Sequence, residues 1–371
     1  MATNRRIRNI IKRLLFFSFF YLRLFDLILK ILSRVRQEHP CIILAYHRIV
    51  EDRSKYLNKS AVVHHHMKDF KREILFFKRN FQILGMDEVV SHMKLGKGFR
   101  RPSMAITFDD GYLDNYTLAY PVLKEHGIPA TIYLTTGLIG TPDKIWTEQI
   151  GLAFLETKKD YFNFSTILGD KTISIKTEEE KEQAYSKVSK ELKLRPDEER
   201  RELIQKLFEK LEVNEKSGRH FGERMMLNWD EVQEMRKDGI TIGSHSHTHP
   251  ILSRMPIQKA KDEILNSKKG VEKNVDIEVK HFSFPNGREE DFSEELRDYC
   301  REIGFESICS VIYGTNDASE GNAFTLKRVG AISPVSMLAG ELVRLFCKTA
   351  TVSRRTNAIS KRENAKFSAA M

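Results

Sequence analysis

SMAITFDDG, residues 103–111, is a short run of apolar and β-branched side chains that ends abruptly in two carboxylates and a glycine. Six residues of that character suit a strand buried on both faces, and Asp109-Asp110-Gly111 suits the turn where such a strand stops. Working outward, the same unit recurs. CIILAY, residues 41–46, ends in His47; ATIYL, residues 130–134, is a third run; residues 241–243 lead to His245; residues 281–284 and 306–311 supply two more. Helical spacing fills the gaps, as in Phe70, Ile74, Phe77 and Phe81, in residues 116–126 before Gly127, and in a helix capped by Asn228 and ended at Gly239. Residues 258–271 and 293–303 complete the set. Repeated βα units predict an α/β fold built on a parallel sheet or a barrel.

The rhythm breaks between about 140 and 225. Residues 176–216 carry eleven Lys/Arg and twelve Asp/Glu around helical apolar spacing. That balance predicts solvated helices, and hence a helical insertion in a domain running from 37 to 333. Four widely spaced cysteines contain no C-x-x-C pair and no dense disulfide pattern.

The formal charge of +10 suggests nucleic acid until it is located. Residues 1–36 hold nine Lys/Arg against one acid, +8, and residues 348–371 hold six against one, +5, leaving 10 − 8 − 5 = −3 for the body. A near-neutral body excludes a nucleic-acid groove. Residues 1–36 combine this basicity with the apolar run Leu14–Leu22 and predict one amphipathic helix, imperfect because Phe16, Phe19 and Leu27 share its charged side. Arg23, Asp26 and Lys30 argue against a membrane span, and no small-residue cleavage site marks a signal peptide. A monotopic helix in the interface of an anionic leaflet fits best. Its basic start and the absence of a disulfide pattern point to a peripheral protein on the cytoplasmic face of a membrane. Residues 334–371 are expected to form a basic, disordered tail.

Chemistry concentrates where two apolar runs end: Thr107–Gly111, and Gly243-Ser244-His245-Ser246-His247-Thr248-His249-Pro250. In βα architectures that edge gathers active sites. His245 and His249, four apart, can aim at one point. One carboxylate of Asp109 and Asp110 would complete an open three-ligand metal site, and the other could serve as base.

TFDDG followed by IGSHSHTHP resembles the polysaccharide deacetylase family (NodB homology, carbohydrate esterase family 4), and AYHRI resembles its membrane-associated, exopolysaccharide branch. The likeness covers residues 40–331 apart from the insertion. It implies a distorted (β/α) barrel, a divalent ion such as Zn²⁺ (Co²⁺, Ni²⁺ or Mn²⁺ as substitutes), and hydrolysis of acetyl groups, usually from N-acetylhexosamine. By position, Asp109 resembles the family's base, and Asp110, His245 and His249 its metal ligands.

Two departures stand out. The family's Arg-x-Pro-Tyr-Gly is here Ser283-Phe284-Pro285-Asn286-Gly287, so the arginine that braces the base is missing, and Arg328 is the candidate replacement. The late Leu-x-His motif is absent, since no histidine follows His281, and His47 is the candidate general acid. The expected oxyanion or substrate contacts are Tyr112, Pro285 and Asn286. The resulting expectation is an N-deacetylase of an acetylated amino sugar in a glycan or glycolipid beside an anionic membrane. An O-deacetylase and an inactive carbohydrate-binding scaffold are the alternatives. His64, His65, His66, His247 and Trp229 are weaker site candidates.

Overall fold

The computed structural model describes residues 2–58, 60, 62–214 and 222–347. Seven parallel strands close into a barrel in chain order: β1 (Cys41–Tyr46), β2 (Ser103–Phe108), β3 (Thr131–Leu134), β4 (Thr241–Ser244), β5 (His281–Ser283), β6 (Ser307–Tyr313) and β7 (Leu326–Gly330). Closure comes from β1, which pairs with β2 over six registered residues and with β7 at Leu44↔Val329 and Ala45↔Gly330. A two-residue strand, Gln82–Ile83, adds to the outside edge of β2.

Alternation along each strand divides the core. Cys41, Ile43, Ala105, Tyr133, Cys309 and Leu326 share one cluster with Met86, Val89 and Phe99, so the helix Met86–Leu95 plugs the end where the strands begin. Ile42, Leu44, Ile106, Ile132, Phe282 and Val329 face the surrounding helices instead. Both faces being covered explains why β1 and β2 are buried at every position.

The insertion is helical, as its spacing predicts, with helices Trp146–Glu156, Glu178–Leu192 and Asp197–Leu211 and a small antiparallel pair, Tyr161–Asn163 with Thr172–Ser174. Its helices are not merely solvated. Ile150, Phe154, Phe162, Val188, Leu207 and Leu211 make a core of their own that runs into Tyr112 and Ile251 of the barrel loops.

Both termini differ from expectation. Residues 1–36 hold two helices, α1 (Ala2–Tyr21) and α2 (Leu24–Val35), separated where Arg23 adopts a left-handed backbone (φ 58°). The break lets α2 bury Phe25 and Leu29 while Phe16, Phe19 and Phe20 of α1 pack on the same core. Those phenylalanines therefore face protein, not the charged side of a free helix. The expected disordered tail is likewise corrected in its first part: residues 335–347 are helical and bury Leu338, Ala339, Leu342 and Phe346. The rest of that tail, 348–371, lies outside the described residues.

Candidate active site

The register of β1 and β2 sets the site. Tyr46 lies opposite Phe108, and the Asp109 N–H donates to the Tyr46 carbonyl at 2.9 Å, so His47 and Asp109 leave the barrel side by side. On the far wall the His245 N–H donates to the Leu134 carbonyl at 2.9 Å, which places the histidine loop at the same end.

Asp109 is buried and gripped by Arg328. Nη1 donates to Oδ1 and Nη2 to Oδ2, both at 2.7 Å, while Nε donates to the Ser310 carbonyl (2.8 Å) and Nη2 also to Ser283 Oγ (2.9 Å). Arg328 is 1% exposed and projects into the barrel interior, on the same face of β7 as Leu326. Such a bidentate fork fixes both position and charge of a carboxylate. Burial alone would raise the Asp109 carboxyl; the guanidinium of Arg328, with His245, outweighs it and holds the group below the usual range.

Asp110 turns the other way, with φ 79°. Its Oδ1 lies 3.4 Å from His245 Nε2 and 3.2 Å from His249 Nε2. One donor atom from each of the three residues lies within 4.8 Å of the others. His245 Nδ1 meets the Ser283 carbonyl at 2.6 Å, which puts that proton on Nδ1 and the lone pair of Nε2 toward Asp110. Burial pushes the His245 imidazole down to about 4. Burial would also raise Asp110, but the His249 imidazole facing it wins and keeps the carboxyl low. Asp110 Oδ1 is buried without a hydrogen-bond partner. Two imidazoles and an orphaned carboxylate oxygen, all converging, form a donor set that fits a divalent cation.

Strain marks this edge. Asp110, Ser246, His249 and Asn286 are non-glycine residues in the left-handed region (φ 60° to 79°), and Gly111 joins them at 83°. A Cβ on Gly111 would run into Leu134 and Ile139. The histidine loop is held by Glu263, which accepts from the backbone N–H of His247 (2.9 Å) and of Thr248 (2.7 Å).

His47 is half-buried, its Nδ1 is 3.2 Å from the Val62 carbonyl, and it is close enough to lower both Asp109 and Asp110. Tyr112 directly follows the turn, and among the described residues its N–H meets no acceptor. Asn286 is committed elsewhere: its amide donates to Asp291 and accepts from Lys193 Nζ at 2.8 Å. Pro285 is buried. The remaining histidines stay off the metal cluster. His64 stacks on Tyr56, His65 pairs with Glu73 at 3.0 Å, His66 caps a helix, and His247 meets Thr136. Trp229 packs on the main core. Sequence reasoning gave no role to Ser283, which orients His245 through its carbonyl and Arg328 through its hydroxyl, or to Glu263; Ser283 sits at the position of the family's arginine, and Glu263 carries no motif signal.

The chain matches the family described as Polysaccharide deacetylase over residues 96–160 and 204–308, stretches that flank the middle of the insertion. YxkH of Bacillus subtilis (strain 168), whose name places it among polysaccharide deacetylases, is 35% identical over 109 residues, 29% of this chain and 36% of that protein. The poly-beta-1,6-N-acetyl-D-glucosamine N-deacetylase of Staphylococcus epidermidis is 31% identical over 114 residues, 28% of this chain and 39% of that protein. The matched stretch thus spans well under half the length of these curated relatives. Among solved structures, the deacetylase PplD of Streptococcus pyogenes superposes with a TM-score of 0.54 at 16% identity, covering 83% of this chain and 99% of that one. IcaB from Ammonifex degensii does so at 0.53 and 14% identity, covering 83% and 98%. At such identities the likeness establishes the fold.

Proposed function

The chain belongs to the polysaccharide deacetylase family, and from that premise we propose that it is a metal-dependent hydrolase removing the N-acetyl group of an amino sugar in a membrane-associated polysaccharide or lipid-linked glycan. The observation that carries this reading is the juxtaposition of an Arg328-braced Asp109 with the Asp110, His245 and His249 donor set. A divalent cation held by those three residues, Zn²⁺ being the natural fit for two imidazoles and a carboxylate, would act as a Lewis acid on the acetyl carbonyl. Asp109 takes the proton of the attacking water at a carboxylate oxygen, and Arg328 keeps that carboxylate ionised and unable to rotate. The Tyr112 N–H donates to the oxyanion of the tetrahedral intermediate. With Nδ1 turned to the Val62 carbonyl, His47 delivers a proton from Nε2 to the leaving nitrogen.

The test is acetate release from N-acetylglucosamine oligomers by the Zn²⁺-loaded protein. Asp109→Asn is expected to lower turnover by about a thousandfold with metal content retained, the scale of a lost general base. Unchanged turnover, or no acetate from the wild type while an O-acetylated glycan is cleaved, overturns the amide reading.

We further propose peripheral attachment to an anionic membrane surface through α1. The support is chemical: Ile7, Ile11, Leu14 and Tyr21 lie on one side of α1 and are each at least half exposed, beside exposed Arg8, Lys12 and Arg13. Among the described residues no helix is long and apolar enough to cross a membrane. The cytoplasmic face is the proposed side, where Cys41, Cys300 and Cys309, buried thiols and not disulfides, suit a reducing compartment.

A further inference from the structure

The insertion touches the catalytic turn from both of its ends. At its carboxyl-terminal stem, the Leu113 N–H donates to the Met225 carbonyl at 2.8 Å and the Leu227 N–H to the Gly111 carbonyl at 3.0 Å, an antiparallel bridge centred on Tyr112 and Met226. In such a bridge the two flanking bonds turn the N–H of the central residue away from its partner strand. The Tyr112 N–H is thereby left for a ligand. At the amino-terminal stem, the Tyr112 hydroxyl donates to Glu148 Oε1 at 3.2 Å. The two stems are joined to each other, since the Gly140 N–H donates to the Leu227 carbonyl at 2.8 Å.

The ring of Tyr112 is fixed from the barrel side as well. The Arg48 guanidinium lies 5.0 Å from its centroid and is itself anchored by Nε donating to Asp114 Oδ2 at 2.7 Å. Arg48 adjoins His47 in the chain, so one cation couples the turn after Asp110 to the segment that carries the proposed proton donor. Tyr112 is 2% exposed and the Glu148 side chain 11%, so water competes little for the phenol.

We propose that Glu148 is a positioning residue for the reaction: through the Tyr112 hydroxyl it holds the Tyr112 backbone N–H where the oxyanion forms, and the insertion is thus part of the catalytic apparatus. The proposal rests on the deacetylase reading above. The turn it steadies is strained at Asp110, a non-glycine residue at positive φ, and a strained segment keeps its shape only when its surroundings over-determine it. An oxyanion donor acts in the transition state more than in the ground state, so its displacement lowers kcat and leaves KM nearly alone.

Glu148→Ala and Tyr112→Phe are each expected to lower kcat about tenfold, with KM within about twofold, the size of one misplaced hydrogen bond. Glu148→Gln still offers an amide oxygen to the phenol and restores most of that loss. The double variant Tyr112→Phe/Glu148→Ala is no slower than either single one, because both cut the same link. Amide hydrogen exchange over residues 109–113 supplies a readout without substrate: faster exchange in Glu148→Ala than in wild type or Glu148→Gln. Unchanged exchange, or a Gln variant as slow as Ala, overturns the positioning role. Wild-type protein that releases no acetate overturns the deacetylase reading instead, and leaves the exchange result to decide the positioning of the turn.

Discussion

The catalytic end of the barrel and the outer face of α1 break the ordinary rule of burial in opposite directions. At the barrel end, Asp109, Asp110, His245 and Arg328 are charged or polar yet at most 3% exposed. On α1, Leu14 is 63% exposed and Ile7, Ile10 and Ile11 about half. Burying a charge costs several kcal/mol unless it is paired, and leaving a large apolar side chain in water forgoes about 1.5–3 kcal/mol. Departures of this kind persist where something besides folding requires them. The two regions also differ in how they are held: the barrel end by converging hydrogen bonds, α1 by a few phenylalanines on its inner side.

The contrast is broken most severely at Arg328. Arg328→Met leaves Asp109 ionisable, buried and unpaired, at an expected cost of about 3–5 kcal/mol in stability and at least about a hundredfold in turnover. Asp109→Asn combined with Arg328→Met is expected to recover much of the stability and none of the activity, which chemical denaturation and acetate release would separate. Because Asp109 is depressed in the fold, the wild-type pair contributes fully above the ordinary carboxylate range and is lost only as pH falls through its lowered value. The Arg328→Met protein loses that dependence. Equal stability of the single and double variants would mean that the pair is not coupled.

How far the sequence alone reached follows the same division. Asp109, Asp110, His245 and His249 were legible because each follows an apolar strand run, and strand ends fix where side chains start. Arg328 was ambiguous, because LKRVG reads equally well as an exposed edge strand. Closure of β7 onto β1 is what sends its guanidinium inward, and closure is a long-range property. Glu263 acts by accepting from backbone N–H groups, which no motif records, and Ser283 stands where the family has arginine, so its carbonyl to His245 and its hydroxyl to Arg328 emerge only from the fold. The helix at 335–347 has regular apolar spacing, but the basic composition of 348–371 dominated the reading of the whole segment. The break at Arg23 has neither Gly nor Pro to announce it. Tyr112 and Glu148, 36 residues apart, meet only because both stems of the insertion return to one turn.

The exposed side of α1 is broken by making it polar. Ile11→Ser with Leu14→Ser is expected to leave acetate release from soluble oligomers unchanged, since neither residue approaches the site. Co-sedimentation with vesicles containing phosphatidylglycerol should fall about tenfold or more, given roughly 1 kcal/mol or above for each inserted side chain. Wild-type protein that ignores anionic vesicles, or the variant binding equally well, would return this face to the status of an ordinary exposed surface.

The smallest effect is expected on the seam that joins α1 to the barrel. Gly340, in the helix 335–347, lies so close to the ring of Phe16 that any Cβ there would overlap it. Mid-helix glycine is about 1 kcal/mol worse than alanine, so its presence is explained by this close approach and not by helix preference. Gly340→Val should cost about 1–2 kcal/mol, overpacking offset in part by better helix propensity, and should tilt α1 away without touching the barrel end. Vesicle binding is then expected to persist, because Ile7, Ile11 and Leu14 are unaltered and release of Phe16, Phe19 and Phe20 adds apolar surface. Loss of binding in this variant would show that the stripe works only when the barrel holds α1 in place, making the seam itself part of the membrane surface.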